Sequence, residues 1–303
     1  MGDPARSVCG VLVTYRADAA TLRNVLKAVF PQVNALVLVD NGTPGLAEIV
    51  SGFAVIVLDQ GANVGLAAAQ NAGIAWARHN GHSHVLLLDQ DSIPARDMVA
   101  ALLAAEAELG SNSPVGAVGP VFTDSREQRP APFVRMAFPR STKIWCDPET
   151  RYVQCDFLIS SGTLIRLSVL DKVSAMDEGL FIDNVDMEWS FRARSRGYAL
   201  YGVCSASMQH NLGDARVPVL GGHTEIIRHR PQRLYFMMRN RLELYRRPHT
   251  PSVWIAQDVI RIPIKFLIFA VLVPPRLHNV RYMLRGLLDG IRRRSGPCPI
   301  GGH

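Results

Sequence analysis

The sequence predicts an α/β fold with a doubly wound, mostly parallel sheet, followed by a helical, basic C-terminal extension. Short apolar runs alternate with segments of helical spacing over residues 8–109, a pattern typical of parallel sheets. With 303 residues, 48% of them hydrophobic, the chain can bury a sizeable core, and general disorder is excluded. Residues 1–227 hold 18 basic and 23 acidic residues (net −5), whereas residues 228–303 hold 15 and 3 (net +12).

Local signals justify each element of the first half. The strands are short and rich in β-branched residues. The first helix has apolar residues at helical spacing and stops before Pro31, and the second is Ala-rich and stops near Asn80-Gly81. In chain order the predicted elements are strand Val8–Thr14, helix Thr21–Phe30, strands Ala35–Val39 and Ala54–Leu58, helix Leu66–Arg78, strand His84–Leu88 and helix Arg96–Leu109.

The second half is more mixed. The run Asp124–Cys146 contains several prolines and no clear period, which predicts a loop. The other predicted elements are strands Val115–Val121 and Tyr152–Arg166, helices Ser168–Val173 and Asp186–Arg196, strands Tyr198–Val203 and Ala206–Gln209, and helices from Arg228 to about Arg294 that Pro248, Pro263, Pro274 and Pro275 interrupt. We therefore divide the chain into a body, residues 1–227, with halves of about 8–115 and 116–227, and an extension, residues 228–303.

Composition excludes several classes of protein. The five cysteines form no C-x-x-C pair and their number is odd, so neither a zinc knot nor a disulfide framework is indicated, and a reducing, cytosolic setting is the simpler interpretation. The N-terminus lacks the pattern of a signal peptide. The most apolar run, Phe266–Pro275, is shorter than the roughly 20 residues that a membrane-spanning helix needs.

Acidic residues follow the predicted strands, at the edge where parallel sheets bind ligands. They are Asp40, Asp59, Asp89 and Asp91. In the Asp89-Gln90-Asp91 run the two carboxylates lie on one side of the strand end, and hard divalent cations such as Mg²⁺ combine carboxylates with substrate phosphates. A bare D-x-D is often only a solvated turn, but its place after a buried strand favours a metal and diphosphate site.

Polar turns after the other strands suggest a nucleotide pocket. The carboxylate of Asp40 could accept hydrogen bonds from a base or from ribose hydroxyls. Asn41 belongs to the same turn, although Asn-Gly is also a common turn without such a role. Asn63 precedes Gly65, which permits close backbone approach, and the helix that follows would offer free N–H groups to a phosphate. The chain has neither G-x-G-x-x-G nor a P-loop, which weakens the dinucleotide-binding and P-loop alternatives.

Three acids cluster at the start of a predicted helix. Asp183, Asp186 and Glu188 lie within six residues; helix capping accounts for one such acid well and for three poorly. A carboxylate beside an apolar wall is a candidate general base. His210, at the end of a predicted strand, could complete a metal site, although a lone histidine is more often structural.

These motifs occur in one order along the chain, with Arg239-Asn240 in the extension. They are Asp40-Asn41-Gly42, Asn63-Val64-Gly65-Leu66, Asn71-Ala72-Gly73, Leu88-Asp89-Gln90-Asp91-Ser92, Phe157-Leu158-Ile159-Ser160-Ser161-Gly162, Phe181 to Trp189, and His210 with Gly213-Asp214. In this order they resemble the bacterial rhamnosyltransferases of glycosyltransferase family 2, which have the GT-A fold. The resemblance covers about residues 8–294.

The resemblance implies an inverting, metal-dependent transfer from a nucleotide sugar, with dTDP-L-rhamnose as the expected donor. It assigns Asp40, Asn41, Asp59, Asn63 and Gly65 to the donor, with Asp89 and Gln90 beside the diphosphate. It assigns the metal, Mg²⁺ or Mn²⁺, to Asp89, Asp91 and His210. It places the catalytic base at Asp186, with Glu188 as a second acid near the acceptor or the metal; spacing alone leaves Asp183 open as the base.

The acceptors implied are lipid-linked saccharides or glycolipids of the O-antigen, capsule or rhamnolipid type. The basic extension then favours an anionic membrane surface, hence peripheral attachment at the cytoplasmic face, over a basic cap packed on the body. Arg239 and Arg241 could instead face phosphates. Nucleic acid is disfavoured as a partner by the acidic body and by the lack of a recognised binding motif.

Two other functions remain open from the sequence. A family 2 transferase could use another nucleotide sugar, such as one carrying glucose or galactofuranose. A nucleotide-sugar-binding module without catalysis is the other, although the acids at 89, 91, 186 and 188 argue against it.

Overall fold

A computed structural model describes residues 6–124, 129–210, 215–219 and 224–300, with the backbone alone at 215–219 and 224–225. The strands are β1 (Val8–Thr14), β2 (Ala35–Asp40), β3 (Ile56–Asp59), β4 (His84–Asp89), β5 (Ile93–Pro94), β6 (Val115–Thr123), β7 (Phe133–Arg135), β8 (Thr142–Ile144), β9 (Tyr152–Cys155), β10 (Leu164–Arg166), β11 (Ala199–Gln209), β12 (Ala215–Val219) and β13 (Thr224–Arg228). The helices are α1 (Ala19–Val29), α2 (Leu46–Val50), α3 (Leu66–His79), α4 (Met98–Gly110), α5 (Leu167–Val173), α6 (Val185–Ser195), α7 (Pro231–Arg246), α8 (Ser252–Val271) and α9 (Arg276–Ile291).

The central sheet confirms the predicted class. Its main path runs β3-β2-β1-β4-β10-β6-β11-β5, with β9 paired to β11. The half β3-β2-β1-β4 is parallel throughout, and Val11 of β1 pairs with Val37 on one side and Leu87 on the other. The strand β10 is an antiparallel insertion between β4 and β6. Strand order reverses around β1 and β4, so their carboxyl ends open a crevice at the sheet edge.

Alternation along the strands divides the core into two layers, as a sheet covered on both faces requires. In β1, Val11 and Val13 belong to the layer under α3 and α6, whereas Leu12 belongs to the layer under α1 and α4. All seven β1 residues are buried. The two layers hold this half of the sheet in a fixed frame, which positions the residues that follow each strand.

The second half departs from the predictions in several places. The predicted strand Tyr152–Arg166 is two strands, β9 and β10, because a turn with Gly162 at φ +79° separates them. The predicted loop Asp124–Cys146 contains the hairpin of β7 and β8, and Cys146 after it is disulfide-bonded to Cys204 of β11. Spacing gave no sign of that bond because the two cysteines lie 58 residues apart.

The extension forms three helices, with α7 packed against the body and against α9. Leu234 and Met238 of α7 share a core with Phe269 of α8 and Met283 of α9. The prediction that Pro263 interrupts the helical region is wrong, because this proline lies inside α8, on its exposed side. The division at residue 227 stays a prediction, and within the described ranges no helix combines the length and the hydropathy needed to cross a membrane.

Candidate functional site

A cleft of about 690 Å³ opens at the carboxyl ends of β1, β4 and β11 and is closed on one side by the extension. Its side chains come from several of the motifs that the sequence singled out. Among its lining residues are Tyr15, Arg16, Asn41, Asn63, Gly65, Asp89, Gln90, Asp91, Asp183, Asp186, His210, Arg230, Arg233 and Phe236.

Three of these side chains form a group that could hold a metal ion, as predicted. The ligand atoms of Asp89, Asp91 and His210 all lie within 4.8 Å of one another, and Nδ1 of His210 is 3.5 Å from Oδ1 of Asp91. Two carboxylates with one imidazole form a donor set that suits Mn²⁺ and, with substrate phosphates, Mg²⁺. The residues present therefore fit a divalent cation.

Two buried serines fix this group in place. Ser92 Oγ lies 2.7 Å from Nδ1 of His210, and Ser161 Oγ donates to Ser92 Oγ at 2.6 Å. The same Ser161 hydroxyl accepts the backbone N–H of Asp89 at 3.1 Å. One hydrogen-bonded chain thus orients the ring and anchors the strand end, in the manner of outer-sphere partners at metal sites. It assigns a role to Ser92 and Ser161, which the sequence marked only as parts of motifs.

Ionisation within the group follows from its crowding. Burial raises the pKa of Asp89, His210 lowers it and Asp91 raises it again, and the outcome lies above the usual value. For His210, burial lowers the pKa, but a hydrogen bond to Asp91 and the charge of Asp89 raise it further, so the pKa is higher than usual. The protein thus gathers negative charge here that a cation would balance.

The segment between Gly179 and Asn184 carries the acidic side of the cleft in a strained conformation. Phe181, Asp183 and Asn184 have φ angles of +65°, +62° and +64°, a region that residues with a side chain rarely occupy. Strain of this kind persists only where surrounding contacts impose it. We call residues 179–184 the acidic loop.

Two neighbouring side chains of α7 impose that conformation. Asn240 Nδ2 donates to the carbonyls of Leu180, Ile182 and Asp183 at 3.0, 2.7 and 2.8 Å. Arg239, fully buried, donates to the carbonyls of Gly179 and Leu180 and, through Nε, to Asn240 Oδ1. The extension is therefore part of the site's framework. The alternative that Arg239 and Arg241 face phosphates is not what the structure shows, because Arg241 pairs with Asp258.

Asp183 and Asp186 both line the cleft but differ in their partners. Asp183 accepts from Arg233 Nε at 3.0 and 3.2 Å. Among the described residues, Asp186 accepts from two backbone N–H groups, that of Met187 at 2.8 Å and that of Ser160. Burial, and then the charges of Asp89 and Asp183, raise the pKa of Asp186 to about 6 despite those hydrogen bonds. Of the two carboxylates, Asp183 is paired with an arginine, whereas no described cation is paired with Asp186. Asp186 is therefore the one whose raised pKa lies nearer to neutral pH.

Glu188, predicted as a second site acid, is not brought into the cleft. Its carboxylate is buried, accepts two hydrogen bonds from Arg192 at 3.0 and 2.7 Å, and lies 2.8 Å from His249 Nε2. Burial raises the pKa of Glu188, but the hydrogen bonds from His249 and Arg192 more than offset this, and the pKa lies below its usual value. Glu188 therefore links α6 to the segment between α7 and α8 through its contacts with Arg192 and His249.

The side of the cleft that the sequence assigns to the donor is formed by polar turns that are hydrogen-bonded to one another. Asn41 donates to the carbonyl of Gly65 at 3.2 Å, and Asn63 accepts from the N–H of Gly65 at 3.0 Å. Gly65 has φ +89°, and a Cβ there would lie 2.7 Å from the carbonyl oxygen of Phe181. That carbonyl accepts the N–H groups of Leu66 and Ala67 at 2.6 and 3.3 Å. These two N–H groups at the start of α3 are therefore not offered to a phosphate, contrary to the sequence expectation.

Two of the predicted donor residues do not line the cleft, whereas Gln90 does. Asp40 is buried and accepts from the Thr14 hydroxyl and the Thr43 N–H, and Asp59 is exposed and accepts from the Gly61 N–H. Gln90 accepts from the N–H of Tyr15 at 2.7 Å and donates to its carbonyl at 3.3 Å. The amide of Gln90 thereby fixes the backbone where β1 leaves the sheet.

Sequence reasoning missed the cations at the cleft. Arg16 follows β1 at φ +48°, while Arg230 and Arg233 come from the start of the extension. In the sequence, Arg230 and Arg233 stood out only as members of the basic extension. Phe236, also in the lining, stacks on Phe181 with ring centroids 5.0 Å apart. Gly213 and Asp214, quoted with His210 in the sequence motif, lie outside the described residues.

Known protein sequences match this chain over much of its length. The model of the family described as "Glycosyl transferase family 2" matches residues 10–173. The chain is 28% identical to the dTDP-rhamnosyl transferase RfbF of Shigella flexneri over 299 residues, which cover 96% of this chain and 97% of that protein. It is also 28% identical to an uncharacterized protein of Mycobacterium bovis over 166 residues, 54% of this chain and 60% of that protein.

Solved structures share the fold at low sequence identity. TarS 1–349 of S. aureus in complex with UDP-GlcNAc matches with a TM-score of 0.59 and 14% identity, over 94% of this chain and 81% of that chain. GalNAc-T7 with UDP, GalNAc and Mn²⁺ matches with a TM-score of 0.57 and 14% identity, over 86% of this chain. The chain spans only 56% of the GalNAc-T7 chain. These likenesses establish the GT-A type of fold.

Replacing one ligand should weaken metal binding without affecting folding. We expect Asp91→Asn to reduce the affinity for Mn²⁺ by about tenfold or more, because it removes one of two charged oxygen ligands, as measured by isothermal titration calorimetry without nucleotide. Asp59→Asn, which changes another acid at a strand end but outside the cleft, is the matched control and should bind as the unmodified protein does. Equal affinity in all three proteins would contradict the assignment.

Proposed function

The chain belongs to glycosyltransferase family 2, and from that premise we propose that it is an inverting, metal-dependent rhamnosyltransferase. The proposed donor is dTDP-L-rhamnose, supported by the likeness to RfbF along nearly the whole of both chains. The observation that carries the proposal is the single cleft in which a metal-ligand group, Asp89, Asp91 and His210, faces a carboxylate with a raised pKa, Asp186. This is the pair of functions that inverting transfer needs.

Asp186 is the proposed catalytic base. Its carboxylate takes the proton of the acceptor hydroxyl while the hydroxyl oxygen forms a bond to the anomeric carbon of the donor. The bond from that carbon to the diphosphate oxygen breaks on the opposite face, and the electron pair leaves with the nucleoside diphosphate. Asp183 is the weaker candidate, because the guanidinium of Arg233 already holds its carboxylate.

The other side of the cleft serves the leaving group. Asp89, Asp91 and His210 would hold a Mg²⁺ or Mn²⁺ ion, which when bound neutralises charge that develops on a leaving diphosphate. Arg16 and Arg230 line the same cleft and are proposed to contact the phosphate oxygens. Asn41, Asn63 and Gly65 form the wall proposed to receive the nucleoside, with Asp40 and Asp59 supporting the turns rather than touching it.

The proposed acceptor is a hydroxyl of a lipid-linked saccharide or glycolipid of the O-antigen, capsule or rhamnolipid type. We place the enzyme at the cytoplasmic face of the membrane, where its basic extension would meet anionic lipid. Transfer of a different sugar is the second candidate. A binding module without catalysis is disfavoured, since the metal-ligand group and the raised pKa of Asp186 have no evident use in it.

A donor panel tests the proposal directly. The purified chain should form a glycosylated product from dTDP-L-rhamnose, Mg²⁺ and a lipid-linked saccharide acceptor, detected by mass spectrometry, and should use UDP-glucose or UDP-galactofuranose poorly. Product from another nucleotide sugar alone would replace the donor assignment. Donor binding without product from any acceptor in the panel would favour the binding module.

Asp186→Asn should abolish most transfer and spare donor binding. The amide cannot accept the proton, and general-base catalysis supplies about 10²–10⁴-fold in rate. In the unmodified protein, kcat should rise with pH through about 6, because the pKa of Asp186 is raised to about 6 and only the ionised carboxylate accepts a proton. Near-normal turnover of the Asn variant, or a kcat that falls as pH rises through 6, would exclude Asp186 as the base.

Asn240→Ala should lower kcat by about 10²-fold, because displacement of catalytic groups by about 1 Å has effects of that size. The change releases three carbonyls of the acidic loop and leaves the metal ligands untouched. Asn279→Ala is the matched control: it also removes a buried amide that donates to two carbonyls, those of Phe269 and Val273, away from the cleft. Both variants should lose melting temperature. A similar kcat in the two would reduce Asn240 to a stabilising residue.

A further inference from the structure

Helix α9 leaves several of its large apolar side chains exposed. Its buried residues are two apolar ones, Tyr282 and Met283, together with Asn279, Asp289 and two glycines, Gly286 and Gly290. Four apolar side chains are exposed instead, Leu277 by 84%, Leu284 by 48%, Leu288 by 49% and Ile291 by 63%. Their spacing of seven, four and three residues places them along one side of the helix.

Close packing explains why the side of α9 that carries the glycines is the buried one. A Cβ added at Gly286 would lie 2.3 Å from the carbonyl oxygen of Tyr235, and one at Gly290 would lie 3.0 Å from that of Arg239. The glycines allow α9 to approach the backbone of α7 more closely than leucine would. The leucine stripe is therefore directed away from α7, and no described residue covers it.

Helix α8 carries a second stripe of the same kind. Ile260, Ile264, Leu267 and Val271 are exposed by 65%, 54%, 62% and 58% and recur at intervals of four, three and four residues. The opposite side of α8 carries Asp258, Lys265 and Phe269, which pack inward. Both helices rest on the core shared with α7, so both stripes face away from it. We call the two stripes with the arginines beside them the α8–α9 face.

The charge of the α8–α9 face is of one sign. Residues 252–300 contain two acids, Asp258 and Asp289, and both are buried and paired with arginine. The exposed cations on or beside the stripes are Arg261, Arg276, Arg281, Arg292 and Arg293. Exposed aliphatic side chains among arginines, with no exposed carboxylate in residues 252–300, are the composition of a helix lying in an anionic lipid interface.

We propose that the α8–α9 face docks on an anionic lipid bilayer, with the leucine and isoleucine side chains in the acyl boundary and the arginines on lipid phosphates. A second copy of the chain on a two-fold axis would bring arginine against arginine, which opposes that occupant. A nucleic acid would be expected to meet exposed aromatic side chains, but Trp254, Phe269 and Tyr282 of these helices are buried.

The face is also close to the acidic side of the cleft. Lys265, on the inner side of α8, has a pKa that burial lowers to about 7, and the charge of Asp183 acts on it in the opposite direction. Helices α8 and α9 share a core with α7, the helix that holds the acidic loop. A bilayer on their outer face would therefore bring a membrane-anchored acceptor to the same extension that holds the loop with Asp183.

Vesicle flotation tests the proposal with the full chain and no donor or acceptor, so the result is independent of the proposed transfer. The protein should float with phosphatidylcholine vesicles that contain phosphatidylglycerol, and much less with phosphatidylcholine alone or at high NaCl. Leu277→Glu should reduce the partition coefficient by about tenfold or more, the contribution of one buried leucine. Val57→Glu is the matched control, since Val57 is an aliphatic side chain 41% exposed on β3, the first strand of the sheet path, and this variant should float normally.

Two further measurements keep the outcomes separate. Circular dichroism should give the same helix content and melting temperature for Leu277→Glu and the unmodified chain, and Ile264→Glu should reproduce the flotation defect from the other helix. Flotation that is unchanged in both variants would overturn the proposal. So would sedimentation data in which Leu277→Glu converts a dimer to a monomer while flotation persists, because the face would then be a subunit contact.

Discussion

The site depends on one set of hydrogen bonds, those from Asn240 and Arg239 to the carbonyls of the acidic loop. Three residues of that loop have positive φ angles, and such conformations cost on the order of 1–3 kcal/mol each. A buried amide with its two N–H groups shared among three carbonyls, beside a buried guanidinium, can impose them. The loop in turn carries Asp183, leads into Asp186 and provides the Phe181 carbonyl on which α3 begins. The acids of the cleft are thus placed by the extension as much as by the sheet.

Crowding of negative charge is the second constraint on the site. Asp89, Asp91, Asp183 and Asp186 line one cleft, and the protein compensates them unequally. Arg233 holds Asp183 and His210 lies beside Asp91, whereas Asp186 receives backbone N–H groups. The pKa of Asp186 is therefore the one that rises to about 6. Aspartates with the same side chain thus differ in pKa because their charged neighbours differ.

What could be predicted from the sequence was local in origin. The strand ends and their acids follow from short-range patterns, so the parallel half of the sheet and the group of Asp89, Asp91 and His210 were within reach. Glu188 was misplaced because its partner His249 lies 61 positions along the chain, and spacing cannot reveal a partner that only the fold supplies. The same holds for the Cys146–Cys204 bond. The start of α3 was misjudged because the carbonyl that occupies it belongs to Phe181, which is distant along the chain and is brought there only by the fold.

The charge asymmetry has a different meaning in the folded chain than in the composition. The three acids of residues 228–303 are Glu243, Asp258 and Asp289, and each is paired with arginine of the same segment. Arg239 is buried and donates to the carbonyls of the acidic loop, and Arg233 pairs with Asp183 at the cleft. Part of the net charge of +12 therefore stabilises the site. Another part, which includes Arg261, Arg276 and Arg281, is exposed on α8 and α9 among aliphatic side chains, where residues 252–300 offer no exposed carboxylate. One segment thus presents a polar, hydrogen-bonding side to the acidic loop and an apolar, cationic side to the outside. This arrangement explains why Asn240 and Arg239 are buried while the leucines of the α9 stripe are exposed.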